Sequence, residues 1–112
     1  MHVIHHATLP RHAEGGCCRR TVAGGNLCDA PFEVQLLDIE AGGGTPAASH
    51  ARACVVVVLA GGGKRVLDGG AERFQAPCTL VVPADAAHRF VNNAAAPLRL
   101  VCVQARGQDD SP

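Results

Sequence analysis

His50 and Cys54, two side chains able to bind a metal or move a proton, stand at the head of an apolar run, Val55-Val56-Val57-Val58-Leu59. Glycines close the stretch on both sides, Gly42-Gly43-Gly44 before it and Gly61-Gly62-Gly63 after it. A run of valines crowds χ1 against the preceding helical turn, so the segment reads as a strand, and its unbroken apolarity as one buried on both faces. His50 and Cys54 share the parity of Val56 and Val58. If the strand reaches back to His50, both polar side chains point to one face. Imidazole and thiolate together suit a transition metal.

The elements that must hold these residues are short and β-rich. Phe32 to Glu40 alternates, with Phe32, Val34 and Leu36 set against Glu33, Gln35 and Leu37, and a slip is expected near Leu36-Leu37. Lys64–Leu67 and Ala71–Ala76 flank a hairpin-type turn, Asp68-Gly69-Gly70. Pro77–Pro83, His88–Asn92 and Leu98–Gln104 supply further strands, and Gly24-Gly25-Asn26 is a turn. Residues 1–12 hold a short apolar strand before Pro10 and four of the six histidines, His2, His5, His6 and His12. These read as a polar, frayed terminus, and the tail from Gly107 as loose. Cys17 and Cys18 are adjacent, so they face opposite sides of a strand and cannot share one centre. Eight or nine short strands with no helix call for an antiparallel barrel or jelly roll.

Bulk composition sets limits. The 112 residues form a single domain, with a core of about 30–104 and peripheral ends at 1–12 and 107–112. Only 3% of residues are aromatic, so the core is aliphatic. Ten acidic and ten basic residues balance to zero, which argues against nucleic acid or an anionic membrane as partner. No apolar run is long enough for a bilayer helix, and no export signal is visible, so the expected location is cytoplasmic. Six cysteines without a CxxC pair then read as free thiols.

Two spaced sets of residues carry a family resemblance. Gly42, Ala48, His50, Cys54 and Gly61 follow one pattern; Pro77, Pro83, Asp85, His88 and Asn92 follow a second. Together they resemble the two motifs of small single-domain cupins of the RmlC-like, conserved-barrel type, over roughly residues 30 to 104. The resemblance implies an antiparallel cupin barrel, a double-stranded β-helix or jelly roll, and a homodimer. It also implies a mononuclear metal site, with His50, Cys54 and His88 at ligand positions. Ala48 stands where the first ligand is usual, and Asp85 and Pro77 where glycines are. Short-chain cupins with a cysteine on the last strand make Cys102 a fourth candidate ligand.

Such a ligand set favours copper or zinc, with iron also open, and an oxidoreductase or dioxygenase-like activity would be its enzyme form. A metal-free cupin binding a small molecule in an apolar barrel mouth is the alternative, since a free cysteine is more often a small buried hydrophobe. A Cys54–Cys102 disulfide is a third reading, disfavoured by a reducing cytosol. His50 and His88 as a metal-free acid–base pair would need further polar groups in a cavity expected to be lined by Val, Leu and Ala. Arg52 near the mouth reads as solvated, Asp85 as a turn residue and Cys78 as packed.

Overall fold

The structure, a computed structural model, describes residues 3–25, 27–67 and 69–105. His2, Asn26, Asp68 and the tail from Gly107 lie outside the described residues. Nine strands run through the chain: β1 His12–Glu14, β2 Cys17–Ala23, β3 Phe32–Ile39, β4 Cys54–Ala60, β5 Gly62–Leu67, β6 Gly70–Gln75, β7 Cys78–Val82, β8 His88–Val91 and β9 Leu98–Ala105. The only helical turn among the described residues is a 3₁₀ turn at His6–Thr8, which takes the place of the expected amino-terminal strand.

The strands form a six-stranded sheet, β1-β2-β3-β9-β4-β7, and a three-stranded sheet, β6-β5-β8. Every pairing is antiparallel. The chain is therefore the expected all-β double sheet, although hydrogen bonding does not close it into a continuous barrel. Phe90 of the small sheet packs into one core with Ile39, Val56, Val58, Leu98 and Leu100 of the large one. Each such burial contributes on the order of 1.5–3 kcal/mol. No helix among the described residues is long and apolar enough to cross a membrane.

The central strand differs from its sequence reading in two ways. Cys54, Val56 and Val58 are buried as expected, but Val55 is 39% and Leu59 52% exposed. Val81, opposite Val55 on the edge strand β7, is 57% exposed. Among the described residues only one face of β4 is fully covered, the other being exposed at Val55 and Leu59. Val-rich composition reports strand propensity and not the number of covered faces.

Nor does the strand reach His50. β4 starts at Cys54, and residues 44–50 instead lie along β8 of the other sheet, bridged at Gly44–Val91 and Ala48–His88. Reciprocal bonds join Ala48 and His88, at 3.0 and 2.8 Å, and the Asp85 N–H donates to the His50 carbonyl at 2.7 Å. The chain crosses between sheets at residues 51–53, which breaks the shared parity of His50 and Cys54.

β3 is inverted relative to its expected face. Its pairing with β9 is unbroken from Phe32 to Ile39, and the irregularity sits in β2, between Thr21 and Ala23. Leu37 and Ile39 enter the core while Phe32 is exposed, so the odd positions, Glu33 and Gln35 included, face inward. Leu36 is buried on the other face. Arg20, its partner in register, reaches the His6 carbonyl at 3.1 Å and holds the 3₁₀ turn over that side.

Glycine is required where β5 begins. Gly61 has φ +83°, and a Cβ there would fall on the Pro97 carbonyl oxygen. A Cβ at Gly63 would fall on the Val91 carbonyl oxygen. The strand-ending glycines therefore also let β5 start directly against its neighbours.

Candidate active-site cavity

Directly opposed residues of an antiparallel sheet share a face, so register assigns the wall of the interior. One row runs Thr21, Gln35, Cys102, Val56 and Leu80 across β2, β3, β9, β4 and β7. The next row toward the open end runs Glu33, Gln104, Cys54 and Val82. Deeper rows are apolar, with Leu37, Leu100 and Val58 in one and Ile39 and Leu98 in another. The inner face thus grades from aliphatic to polar along β3 and β9.

At the polar end lies a cavity of about 210 Å³. Gln35, Cys102 and Gln104 line it from the large sheet, while Thr45, His50, His88 and Phe90 line it from the other side. His12, Glu14 and Arg19 of the β1–β2 hairpin complete the rim. Cys17, Leu37, Pro46 and Ala48 also line the cavity, so the apolar lining expected is present in part, and the inverted face of β3 and the terminal hairpin add polar groups to it. His12 and Glu14 belong to this wall.

The two imidazoles meet here. The rings of His50 and His88 are 5.4 Å apart between centroids, tilted by 53°. His88 is 7% exposed and packs edge-on to Phe90 at 5.7 Å. Its Nδ1 lies 3.0 Å from the Ala86 carbonyl oxygen, which can only accept. Nδ1 therefore carries the hydrogen, and the neutral ring keeps its lone pair on Nε2. Phe90, in turn, is fixed by its N–H donating to the Thr45 hydroxyl at 2.9 Å.

The two cysteines meet separately. Cys54 is 1% exposed and sits in the aliphatic core, whereas Cys102 is partly exposed and opens to the cavity. The Cys102 thiol hydrogen-bonds the Cys54 sulfur, which lowers Cys54 from the ordinary thiol value against the opposing effect of burial. The same bond pushes Cys102 up, reinforced by burial and by the negative charges of Cys54 and Glu33.

The four expected ligands thus fall into two pairs. Among the described residues no three or more His, Cys, Asp or Glu side chains are grouped to hold a metal ion. Cys54 is buried in the core cluster and does not line the cavity, whereas His50, His88 and Cys102 all do. As these side chains stand, the set does not fit a common three-ligand centre.

Other expected roles are placed as follows. Asn92 is fully buried and structural, its amide donating to the Ile39 and Ala96 carbonyls at 3.0 and 2.9 Å and accepting from the Ala94 N–H at 2.9 Å. Asp85 is a turn residue with φ 63°, a left-handed conformation that Asp tolerates in place of glycine. Cys17 faces inward and Cys18 is on the other face, as their adjacency requires. Burial pushes the Cys17 thiol up, with Arg19 opposing. Gln35, Gln104, His12, Glu14 and Arg19 were not evident as site residues from sequence. Gln104 could have been found, since it shares the parity of Cys102 on β9.

Comparison with known proteins places this architecture. A family model described as Cupin domain matches residues 35–104. No curated protein sequence gives a significant match. Among solved structures, the polyketide cyclase RemF from Streptomyces resistomycificus is similar with TM-score 0.77 and 21% identity, over 92% of this chain and 78% of that one. An RmlC-like cupin from Shewanella frigidimarina gives 0.77 at 16% identity, over 98% and 95%. A sugar phosphate isomerase of the cupin superfamily from Silicibacter pomeroyi gives 0.75 at 22% identity, over 90% and 73%. At these identities the likeness is one of fold.

Proposed function

Since the chain belongs to the cupin domain family, we propose that it binds a small polar molecule between its two sheets and moves a proton on it with His50 and His88. The observation that carries this reading is the pair of imidazoles, 5.4 Å apart, in a cavity whose other wall carries Gln35 and Gln104. His88, its Nδ1 hydrogen held by Ala86, presents Nε2 as the base. His50, at the mouth of the same cavity, returns the proton as acid. Imidazole is suited to both tasks because it changes charge near neutral pH. Gln35 and Gln104 offer donors and acceptors that orient hydroxyl or carbonyl oxygens. Two of the structural relatives are named as a cyclase and an isomerase, which supports a reaction of this class.

Deuterium exchange tests the proposal. The protein is incubated in D₂O with a panel of sugar phosphates and hydroxy acids, and loss of carbon-bound proton signals is followed by NMR. Exchange with at least one compound that disappears in His50→Ala and persists in Cys54→Ser is the expected result. The competing proposal is a copper, zinc or iron centre on His50, Cys54, His88 and Cys102, which requires Cys54 to turn out of the core. One equivalent of Cu(II) giving a thiolate-to-copper band that Cys54→Ser removes, with no exchange in the panel, would favour that centre instead. The absence of Trp and Tyr leaves the near ultraviolet clear for such a band.

A further inference from the structure

We propose that the molecule taken up by this cavity is an anion, and that Arg19, assisted by Arg11, holds its phosphate or carboxylate oxygens at the neck of the site. The inference rests on the proton-transfer reading for what happens at the other end of that molecule. Strand register puts Arg19 on the inner face of β2, where it opposes Leu37 on one side and His12 on the other. Arg19 lines the cavity that holds His50 and His88. It also lines an outer cleft of about 530 Å³, walled by Leu9, Pro10, Arg11, Leu27 and Glu33. His12 and Gln35 are likewise common to both spaces. A molecule that fills the cleft and reaches the imidazoles therefore passes the Arg19 guanidinium.

The charges around this neck are not equally engaged. The Glu33 carboxylate accepts from the Gln35 amide at 2.9 Å, and Glu14 lies 3.9 Å from the His12 imidazole. Cys17, two residues before Arg19 on the same face of β2, has its thiol pushed up by burial and is uncharged at neutral pH. Arg20, Arg65 and Arg99 are held by the His6 carbonyl, by Glu72 and by Asp38. Among the described residues, the guanidinium groups of Arg11 and Arg19 have no hydrogen-bond or ion-pair partner of this kind.

A guanidinium is always charged and presents its donors in a planar fork that matches two oxygens of a carboxylate or phosphate. Two such groups on one cleft can grip an oxyanion that neutral Gln35 and Gln104 would bind only weakly. The overall charge balance of the chain does not oppose this, because binding depends on the cations facing the ligand. Held by its oxyanion in the cleft, the molecule extends its remaining carbons toward His50 and His88. This selects phosphate esters and hydroxy acids over neutral polyols of the same size.

Binding is measured apart from turnover, so that the two readings fail separately. The ¹⁵N-labelled full chain is titrated with glycerol 3-phosphate, with lactate and with glycerol at constant ionic strength, following the arginine Nε–H signals. The expected result is that at least one anion shifts the Arg19 signal and binds at least tenfold more tightly than glycerol. The tighter of the two tells phosphate from carboxylate. Arg19→Gln should weaken that anion by about ten- to hundredfold, the range of a hydrogen bond to a charged group. Arg11→Gln should weaken it less. Arg73→Gln makes the same charge change on β6, outside both spaces, and should leave binding unaltered. If Arg19→Gln does not fold, the Arg19 signal of the unaltered chain and the Arg11→Gln titration decide. No preference for either anion over glycerol would overturn the proposal, as would equal losses in Arg19→Gln and Arg73→Gln. Anion binding that depends on Arg19, in a chain that exchanges no carbon-bound proton, would remove the proton-transfer reading and leave this one standing.

Discussion

His88→Asn lowers the rate of proton exchange on a bound substrate by roughly 10²–10⁴-fold while leaving the fold intact, the range a positioned acid or base contributes. The substitution separates the two ring nitrogens. An Asn amide at position 88 places its NH₂ near the site of Nδ1 and can still donate to the Ala86 carbonyl, now 3.0 Å from the ring. It has no group where Nε2 stands, and an amide is no base at neutral pH. His88→Gln reverses the comparison, reaching toward Nε2 and abandoning Ala86. Both variants should lose exchange, but His88→Gln should also lose stability, because a part-buried carbonyl is left unpaired. Exchange in His88→Asn within threefold of the unaltered chain would show that Nε2 takes no part.

The second large effect is on stability. Asn92→Ala removes three hydrogen bonds at a position with no solvent exposure. A buried group left unpaired costs about 1–3 kcal/mol. The Ile39 carbonyl is the buried one of the three partners; those at Ala94 and Ala96 are part-buried, where water can substitute. The expected loss in urea unfolding is therefore about 3 kcal/mol, a large share of the ~5–15 kcal/mol typical of a domain. Its consequence reaches the site. The backbone of Asn92 also pairs with Gly42 and Gly43, at the root of the segment that carries His50. A loss under 1 kcal/mol would mean that this network does not anchor that segment.

Much of the fold is legible from residue types alone. The valine run before Gly61 locates β4, the prolines on either side of Cys78–Val82 locate β7, the apolar run after Pro97 locates β9, and the spacing of His88 and Asn92 places β8 correctly. What fails is what depends on distant pairing. Whether Val55 is covered depends on a layer that no local pattern encodes. In FEVQLLDIE both Leu36 and Leu37 are buried, one under the amino-terminal turn, so alternation alone points to the wrong inner face. That single inversion hides Gln35 and makes the cavity look apolar. His50 is misplaced for a similar reason, since its backbone belongs to the small sheet through Ala48 and Asp85 and not to the strand that follows it. Cys54 and Cys102, by contrast, stand on one face of neighbouring strands, as their parity on β4 and β9 allows.

Nitrogen-15 NMR of the histidine rings is the most direct test of the site. The structure predicts that the neutral His88 ring is the tautomer protonated at Nδ1, with nuclear Overhauser contacts from its ring to that of His50. A His88 ring protonated at Nε2, or no contact between the two rings, would contradict the shared acid–base cavity on which the functional reading stands.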